Sequence, residues 1–269
     1  MKNKKGDKKQ EEKVIYYSDE LNDEFSGITR NTIEIDSDYK YIKKNIFWKI
    51  GEFFIYRIIM TPFAYLYCKI KFLHKFKNKK VLKQVKKTGY FVYANHTLTG
   101  ADAFIPNVLN FPKKTFVIVN RDNVSVKGLK WFIEMNGGMP LPSTAGATKN
   151  FISALEKRIK KNPIQIYPEA HIWPFYTKIR PFISTSFRYP VKFDKPVFCF
   201  TNTFHERKFG KKPKVITYVD GPFYADKNLS AKEQEQQLRN KVFETMCERA
   251  KLSTYEYVKY IKKEENTND

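Results

Sequence analysis

The sequence predicts an α/β domain: a mainly parallel sheet flanked by helices, preceded by an N-terminal amphipathic helical segment that associates with a membrane. Three observations predict it. From Tyr90 onward short apolar runs alternate with helical patterns, the signature of βαβ units. Those runs are apolar throughout rather than alternating, as strands covered on both faces are. An aromatic and aliphatic stretch, regularly broken by charge, precedes them between Asn45 and Phe72.

Residues 1 to 40 are polar and mixed in charge, carry turn formers such as Asp19, Asn22 and Gly27, and show no sustained period. They read as a disordered polar tail. Met1 to Glu12 lack an apolar run of the kind a secretory signal contains. Residues 41–75 read as interfacial amphipathic helices. Their longest uncharged run, Ile58 to Cys68, is well short of the roughly 20 residues a spanning helix needs. Trp48, Tyr56, Tyr65 and Tyr67 suit the headgroup level, and Lys49, Arg57, Lys69 and Lys71 can reach lipid phosphates.

Strands are predicted at Tyr90–Ala94, Thr115–Val119, Pro163–Tyr167, Pro196–Thr201 and Lys214–Val219. Helices are predicted at Gly128–Met135 and at Ala147–Lys161, where Phe151, Leu155 and Ile159 fall on one stripe. A further helix starts at Ser230, with Glu233 three residues on as in a capping box, and turns Leu238, Val242 and Met246 inward. The globular domain spans 76–252, and 253–269 read as a charged C-terminal tail, disordered after Lys259 like the first 40 residues.

Fifty Lys and Arg against 28 Asp and Glu give a formal charge of +22, which implies an anionic partner, nucleic acid or a lipid surface. The aromatic residues, 17 Tyr and 23 Phe, lie in strand-like and interfacial runs rather than on a polar face. That placement favours an anionic membrane surface over stacked nucleic-acid bases. The three cysteines Cys68, Cys199 and Cys247 have no metal-ligand spacing, so neither metal nor organic cofactor is expected, and a reduced compartment fits. A serine hydrolase is excluded by the lack of any Gly-x-Ser-x-Gly elbow.

In open α/β sheets ligands gather at the carboxyl ends of strands. Two polar clusters fall there: Asn95-His96-Thr97-Leu98-Thr99-Gly100-Ala101-Asp102 and Tyr167-Pro168-Glu169-Ala170-His171. Six steps along one continuous helix would put His96 and Asp102 on different sides, so a dyad between them needs a loop. With His96 in the loop and Asp102 opening the next helix, the carboxylate holds one ring nitrogen and the other is a base toward a hydroxyl. Asp102 as a plain helix cap and His96 as an unrelated loop residue is the alternative.

Over roughly Leu82 to Pro222 the chain resembles the 1-acylglycerol-3-phosphate acyltransferase family, within the glycerophospholipid acyltransferase superfamily. The resemblance rests on Asn95-His96 with Asp102, on Arg121-Asp122 leading to Gly137-Gly138-Met139-Pro140, on Tyr167-Pro168-Glu169, and on Lys195-Pro196-Val197, in that order. It implies that 76–252 form an acyltransferase domain, with His96 as general base and Asp102 orienting it. It also implies an acyl-CoA or acyl-carrier-protein donor, a lysolipid acceptor, and a peripheral place on the cytoplasmic face of the cell membrane. Glu169 matches the family's acceptor-site glutamate and Asn95 its Asn-His pair; Arg121, Lys178 and Arg180 are candidate substitutes for the family's phosphate-binding arginine, and His171 is a candidate donor to the site or an unrelated loop residue. The oxyanion donors would come from the helix start after Asp102 or from the Gly137-Gly138 turn. The chain departs from the family at three points. The His-Asp spacer is five residues, Thr97 to Ala101, where four are usual; Leu141-Pro142-Ser143 stands where an arginine follows the Gly turn; and Ala170-His171-Ile172 replaces Gly-Thr-Arg. Both phosphate-gripping positions are therefore changed. A catalytically altered lipid-binding module is the alternative these changes suggest.

Overall fold

Strand β3 shows why a run of unbroken apolar residues becomes a central strand. All four of its residues, Phe91–Ala94, are buried, because successive side chains leave opposite faces of the sheet and both faces are covered. Phe91 and Tyr93 join the cluster packed by the long helices, whereas Val92 and Ala94 join a second cluster with Leu109 and Val85.

The computed structural model describes residues 13–27, 33–126, 128–210 and 212–264. In chain order the elements are β1 (Lys13–Tyr17), α1 (Ile46–Phe53), α2 (Thr61–Phe72), β2 (Lys75–Lys77), β3 (Phe91–Ala94), α3 (Ile105–Leu109), β4 (Phe116–Val119), α4 (Lys130–Met135), β5 (Gly138–Pro140), α5 (Ala145–Ile159), β6 (Ile164–Ile166), α6 (Arg188–Phe193), β7 (Val197–His205), β8 (Lys214–Phe223), α7 (Ala231–Ala250) and β9 (Val258–Lys262). Seven strands form one sheet in the order β2-β8-β7-β3-β6-β4-β5, parallel except for the β7–β8 pair. The expected mainly parallel sheet flanked by helices is what forms.

Helix α5 begins where Thr144 accepts the amide of Ala147 and buries Ala147, Phe151, Ala154, Leu155 and Ile159 along one stripe. Each large apolar side chain so enclosed contributes roughly 1.5–3 kcal/mol, and Phe151→Ala would cost about 3–5 kcal/mol. Helix α7 starts with the capping box of Ser230 and Glu233 and buries Leu238, Val242, Met246 and Ala250. Both pack on the face of the sheet that Phe91 and Tyr93 share.

The predicted pair of interfacial helices is one helix. Ile46–Phe72 is continuous over 27 residues and, by length and composition, is apolar enough to cross a membrane. Its middle, Phe54–Met60, widens to π-helical geometry just before Pro62; proline cannot donate in the α ladder, and such local widening takes up the disturbance. Tyr56, Met60, Ala64, Cys68 and Phe72 pack on the domain at four-residue spacing. Phe47, Ile50, Phe53, Phe54, Phe63 and Ile70 face outward, Phe47 at 80% and Ile70 at 74% exposure.

Two expectations of disorder are corrected. Part of the polar tail 1–40 is structured, and so is part of the C-terminal tail 253–269. β1 and β9 pair in parallel as a separate two-stranded sheet, Lys13 opposite Val258 through Tyr17 opposite Lys262. The physical reason is aromatic burial. Tyr17, Phe25, Tyr176 and Tyr260 close around Trp173, with Trp173 and Tyr260 stacked at 5.0 Å. Further on, Ile35 is buried and the Tyr41 hydroxyl donates to Pro140 O at 3.0 Å. Residues 1–12, 28–32 and 265–269 of those tails lie outside the described residues.

Candidate active site

The chain leaves β3 at Ala94 and turns in a loop that ends in a short 3-10 turn, Ala101–Ala103. Gly100 takes φ +77°, a left-handed value that glycine adopts without steric cost, and this lets the five-residue spacer double back. Asp102 thereby faces His96. The imidazole Nδ1 lies 2.8 Å from Asp102 Oδ2, and the same oxygen accepts the Leu98 amide at 2.9 Å. With the carboxylate holding Nδ1–H, Nε2 is the nitrogen left for a substrate hydroxyl. The His96 side chain keeps 18% exposure while that of Asp102 keeps 3%. Burial pushes the Asp102 carboxyl above its ordinary range, against the pull of the His96 ring and of the Leu98 amide.

Tyr167, at the end of β6, completes the mount. Its ring stacks on the imidazole at 4.3 Å and 22°, and its hydroxyl donates to the Asp102 carbonyl at 2.5 Å. Sequence reasoning placed Tyr167 in the second polar cluster and gave it no role of its own. The signal was its place one residue ahead of Pro168-Glu169, at the carboxyl end of the strand beside β3.

The expected substrate contacts divide in two. Glu169 and Arg180 are enclosed side by side, each with 0% side-chain exposure, 3.8 Å apart. Glu169 accepts the His96 amide at 2.9 Å and the Arg180 amide at 3.1 Å. Arg180 donates to the carbonyls of Glu20, Glu169 and His171 and lies over the Trp173 ring. Burial raises the Glu169 carboxyl, opposed chiefly by the Arg180 charge. Both side chains point into the protein and tie the His96 backbone to the loop after β6. Asn95 points inward likewise. It is buried, and its side-chain amide exchanges two hydrogen bonds with the backbone of Asn202 on β7.

His171, Lys178 and Arg121 remain outside the enclosed core. His171 Nδ1 meets Glu24 Oε2 at 3.2 Å. Lys178 is exposed on the loop whose residues Trp173 and Phe175 donate to the carbonyls of His96 and Thr97. Arg121 follows β4, two strands along the sheet from β3, and donates to Ser143 Oγ at 2.8 Å. The Gly137-Gly138 turn is not beside the dyad. It opens β5, at the amino end of the strands, and Gly137 O accepts the Val117 amide. Of the two expected oxyanion donors, the helix start after Asp102 is the one that lies beside His96. No group of three or more His, Cys, Asp or Glu among the described residues could hold a metal ion.

The sequence matches no protein-family model and no curated protein. Among solved structures it resembles the 1-acyl-sn-glycerophosphate (LPA) acyltransferase PlsC from Thermotoga maritima, with a TM-score of 0.55 over 80% of this chain and 87% of that one, at 18% identity. The two chains share a fold. That likeness fixes the α/β layout which brings the carboxyl end of β3 and the outward apolar helix together on one domain, and the chemistry rests on this chain's own residues. Among those, the strap formed by 13–27 and β9 was missed by sequence reading. The Asp23 carbonyl accepts the Trp173 indole N–H at 2.7 Å and the Glu20 carbonyl accepts Arg180 at 2.9 Å, so the strap seals the buried pair behind His96. The run Val14-Ile15-Tyr16-Tyr17, rich in β-formers, was the available signal.

Proposed function

We propose that the protein is an acyltransferase of the glycerophospholipid type. It moves a fatty acyl chain from the thioester of acyl-CoA or an acyl-carrier protein to a hydroxyl of a lysophospholipid, 1-acylglycerol-3-phosphate or a related acceptor. The observation that carries this reading is the His96–Asp102 dyad, held at 2.8 Å at the carboxyl end of a parallel strand, on a fold shared with an LPA acyltransferase.

His96 Nε2 takes the proton of the acceptor hydroxyl as that oxygen attacks the thioester carbonyl. Asp102 keeps the proton on Nδ1 and stabilises the imidazolium. Collapse of the tetrahedral intermediate forms the ester, breaks the carbon–sulfur bond, and the leaving thiolate recovers the proton from Nε2. General-base assistance of this kind is worth about 10² to 10⁴ in rate. Tyr167, Glu169 and Arg180 hold the base in place.

The outward row of Phe47, Ile50, Phe53, Phe54, Phe63 and Ile70 supports a peripheral place on a membrane, and the net charge of +22 favours an anionic one; the reading puts the domain on the cytoplasmic face. The helix is packed against the domain from Tyr56 to Phe72, which supports lying in the interface over crossing it. Arg121 and Lys178 are the cations left to meet an acceptor phosphate.

The test is acyl transfer by purified protein in anionic liposomes, with labelled acyl-CoA or acyl-carrier protein and a panel of lysolipids, beside His96→Ala. Transfer that vanishes in the variant supports the reading and names the acceptor. If no lysolipid is acylated while vesicle binding persists, the lipid-binding alternative replaces it.

A further inference from the structure

At the other end of the sheet, where β4 and β5 begin, a cavity of about 310 Å³ lies between the segment 39–43, the first turns of α1 and the last turn of α5. Its cationic lining is Lys40, Lys43, Lys49, Lys157 and Arg158, against two carboxylates, Glu52 and Glu134. Each carboxylate is already neutralised. Lys43 meets Glu134 at 3.1 Å, and Lys114 meets Glu52 at 2.5 Å. Lys40, Lys49, Lys157 and Arg158 have no carboxylate in ion-pair contact among the described residues.

Arg158 is built in. Its guanidinium lies 4.1 Å over the Phe116 ring, and Nη2 donates to the Tyr41 carbonyl. Nη1 is buried and has no hydrogen-bond partner among the described residues. A buried guanidinium nitrogen without an acceptor costs free energy that a bound anion would recover, and its planar fork suits phosphate oxygens. Trp48 and Lys49 belong to the same helix turns that expose Ile46, Phe47 and Ile50, so a headgroup in the cavity would have its acyl chains beside an apolar surface.

We propose that this cavity is a second anion site, distinct from the dyad, that takes a phosphate monoester group, either the headgroup of a phosphate-bearing lipid or a soluble phosphate. The site does not depend on the catalytic reading: it uses none of the residues around His96 and lies at the opposite end of the strands.

The experiment follows indole N–H signals of the full chain by NMR in phosphatidylcholine bicelles. One arm titrates inorganic phosphate; the other replaces a minor part of the phosphatidylcholine with phosphatidate. The Trp48 signal, assigned through Trp48→Phe, should shift and saturate, while the signal of Trp173, which donates to Asp23 O inside the strap, should stay fixed and report an intact fold. Lys40→Glu with Lys157→Glu, both exposed side chains, should weaken the response at least about tenfold; Arg158→Lys, which keeps the charge and loses the fork, should weaken it less. A response in either arm that the double variant weakens supports the site, and the arm that responds names the source. A Trp48 signal unmoved in both arms, or shifts that survive the double charge reversal, overturns it.

Discussion

Replacing His74 by glutamine should remove a defined part of the protein's sensitivity to acid. His74 follows α2 directly and is 6% exposed, its ring against Phe76 at 4.4 Å. Its Nε2 lies 2.7 Å from Thr217 Oγ1, and that hydroxyl spends its one proton on Asn202 Oδ1 at 2.5 Å. Nε2 must therefore carry the hydrogen, and Nδ1 is left buried with no partner among the described residues. Adding a proton there would place an unpaired N–H and a charge in an apolar site, so burial lowers the His74 pKa from 6.5 to about 3, with nearby Lys69 pushing the same way. The sign follows from proton counting. Below the unfolded value the unfolded chain takes up a proton that the native ring refuses, so stability falls as pH falls. Between about pH 7 and about pH 5 this one ring costs about 2 kcal/mol, and the full loss by about pH 3 is about 5 kcal/mol. Urea unfolding of the wild type and His74→Gln, each referenced to itself near neutrality, measures the difference. Parallel loss of stability in the two proteins on acidification would show that the native ring protonates freely, and the reasoning would fail.

Asp102→Asn should lower kcat by about 10² to 10⁴ with vesicle binding unchanged, because the amide no longer fixes Nδ1–H; steady-state acyl transfer checks it. Arg180→Met should destabilise the fold by about 3–5 kcal/mol, since it leaves Glu169 charged and alone in the interior, and adding Glu169→Gln should restore part of that in denaturant unfolding. Tyr167→Phe keeps the stack on His96 and loses one hydrogen bond, for about 1 kcal/mol; Tyr167→Ala should lose most of the transfer rate, and equal rates for the two variants would deny the ring its role. Deleting residues 1–25 should expose Trp173 and move its fluorescence to the red, and an unchanged spectrum would show that the strap is dispensable.

Five short apolar runs after Tyr90 were legible as strands because they alternate with helical patterns and are apolar throughout, as covered strands are. The capping box at Ser230 and the stripe on α5 were legible for the same kind of reason, a local pattern with one cheap solution. The short strands β2 and β5 were not. Three residues, one of them Pro140 in β5, carry too little pattern, and only pairing with a longer neighbour makes them strands. The strap was hidden because its pairing is between the two ends of the chain: Lys13 opposite Val258 is a contact that no local period reports. The His96–Asp102 contact was one of two readings that spacing left open, and the family resemblance favoured it. The burial of Glu169 and Arg180 was not, since a glutamate and an arginine eleven residues apart look alike in sequence whether they face a ligand or each other.

That burial bears on how the base is held. Three ionisable side chains, Asp102, Glu169 and Arg180, are withdrawn from water within one or two bonds of the His96 backbone or ring. Enclosing such groups costs several kcal/mol each before pairing, and pairing returns that cost without a large surplus. Apolar residues of similar volume would give a fold at least as stable. What the charged set provides instead is direction. Glu169 accepts the His96 amide and the Arg180 amide through different oxygens, so its carboxylate fixes the distance between two loops, while Arg180 reaches three carbonyls from two segments and pins the strap to them. With Tyr167 against one face of the ring and Asp102 on Nδ1, the imidazole is restrained in position, tilt and tautomer at once. A catalytic group misplaced by about 1 Å can lose 10²-fold in rate. The cost of buried charge is therefore tolerable at this loop, and at few other places in a chain this basic.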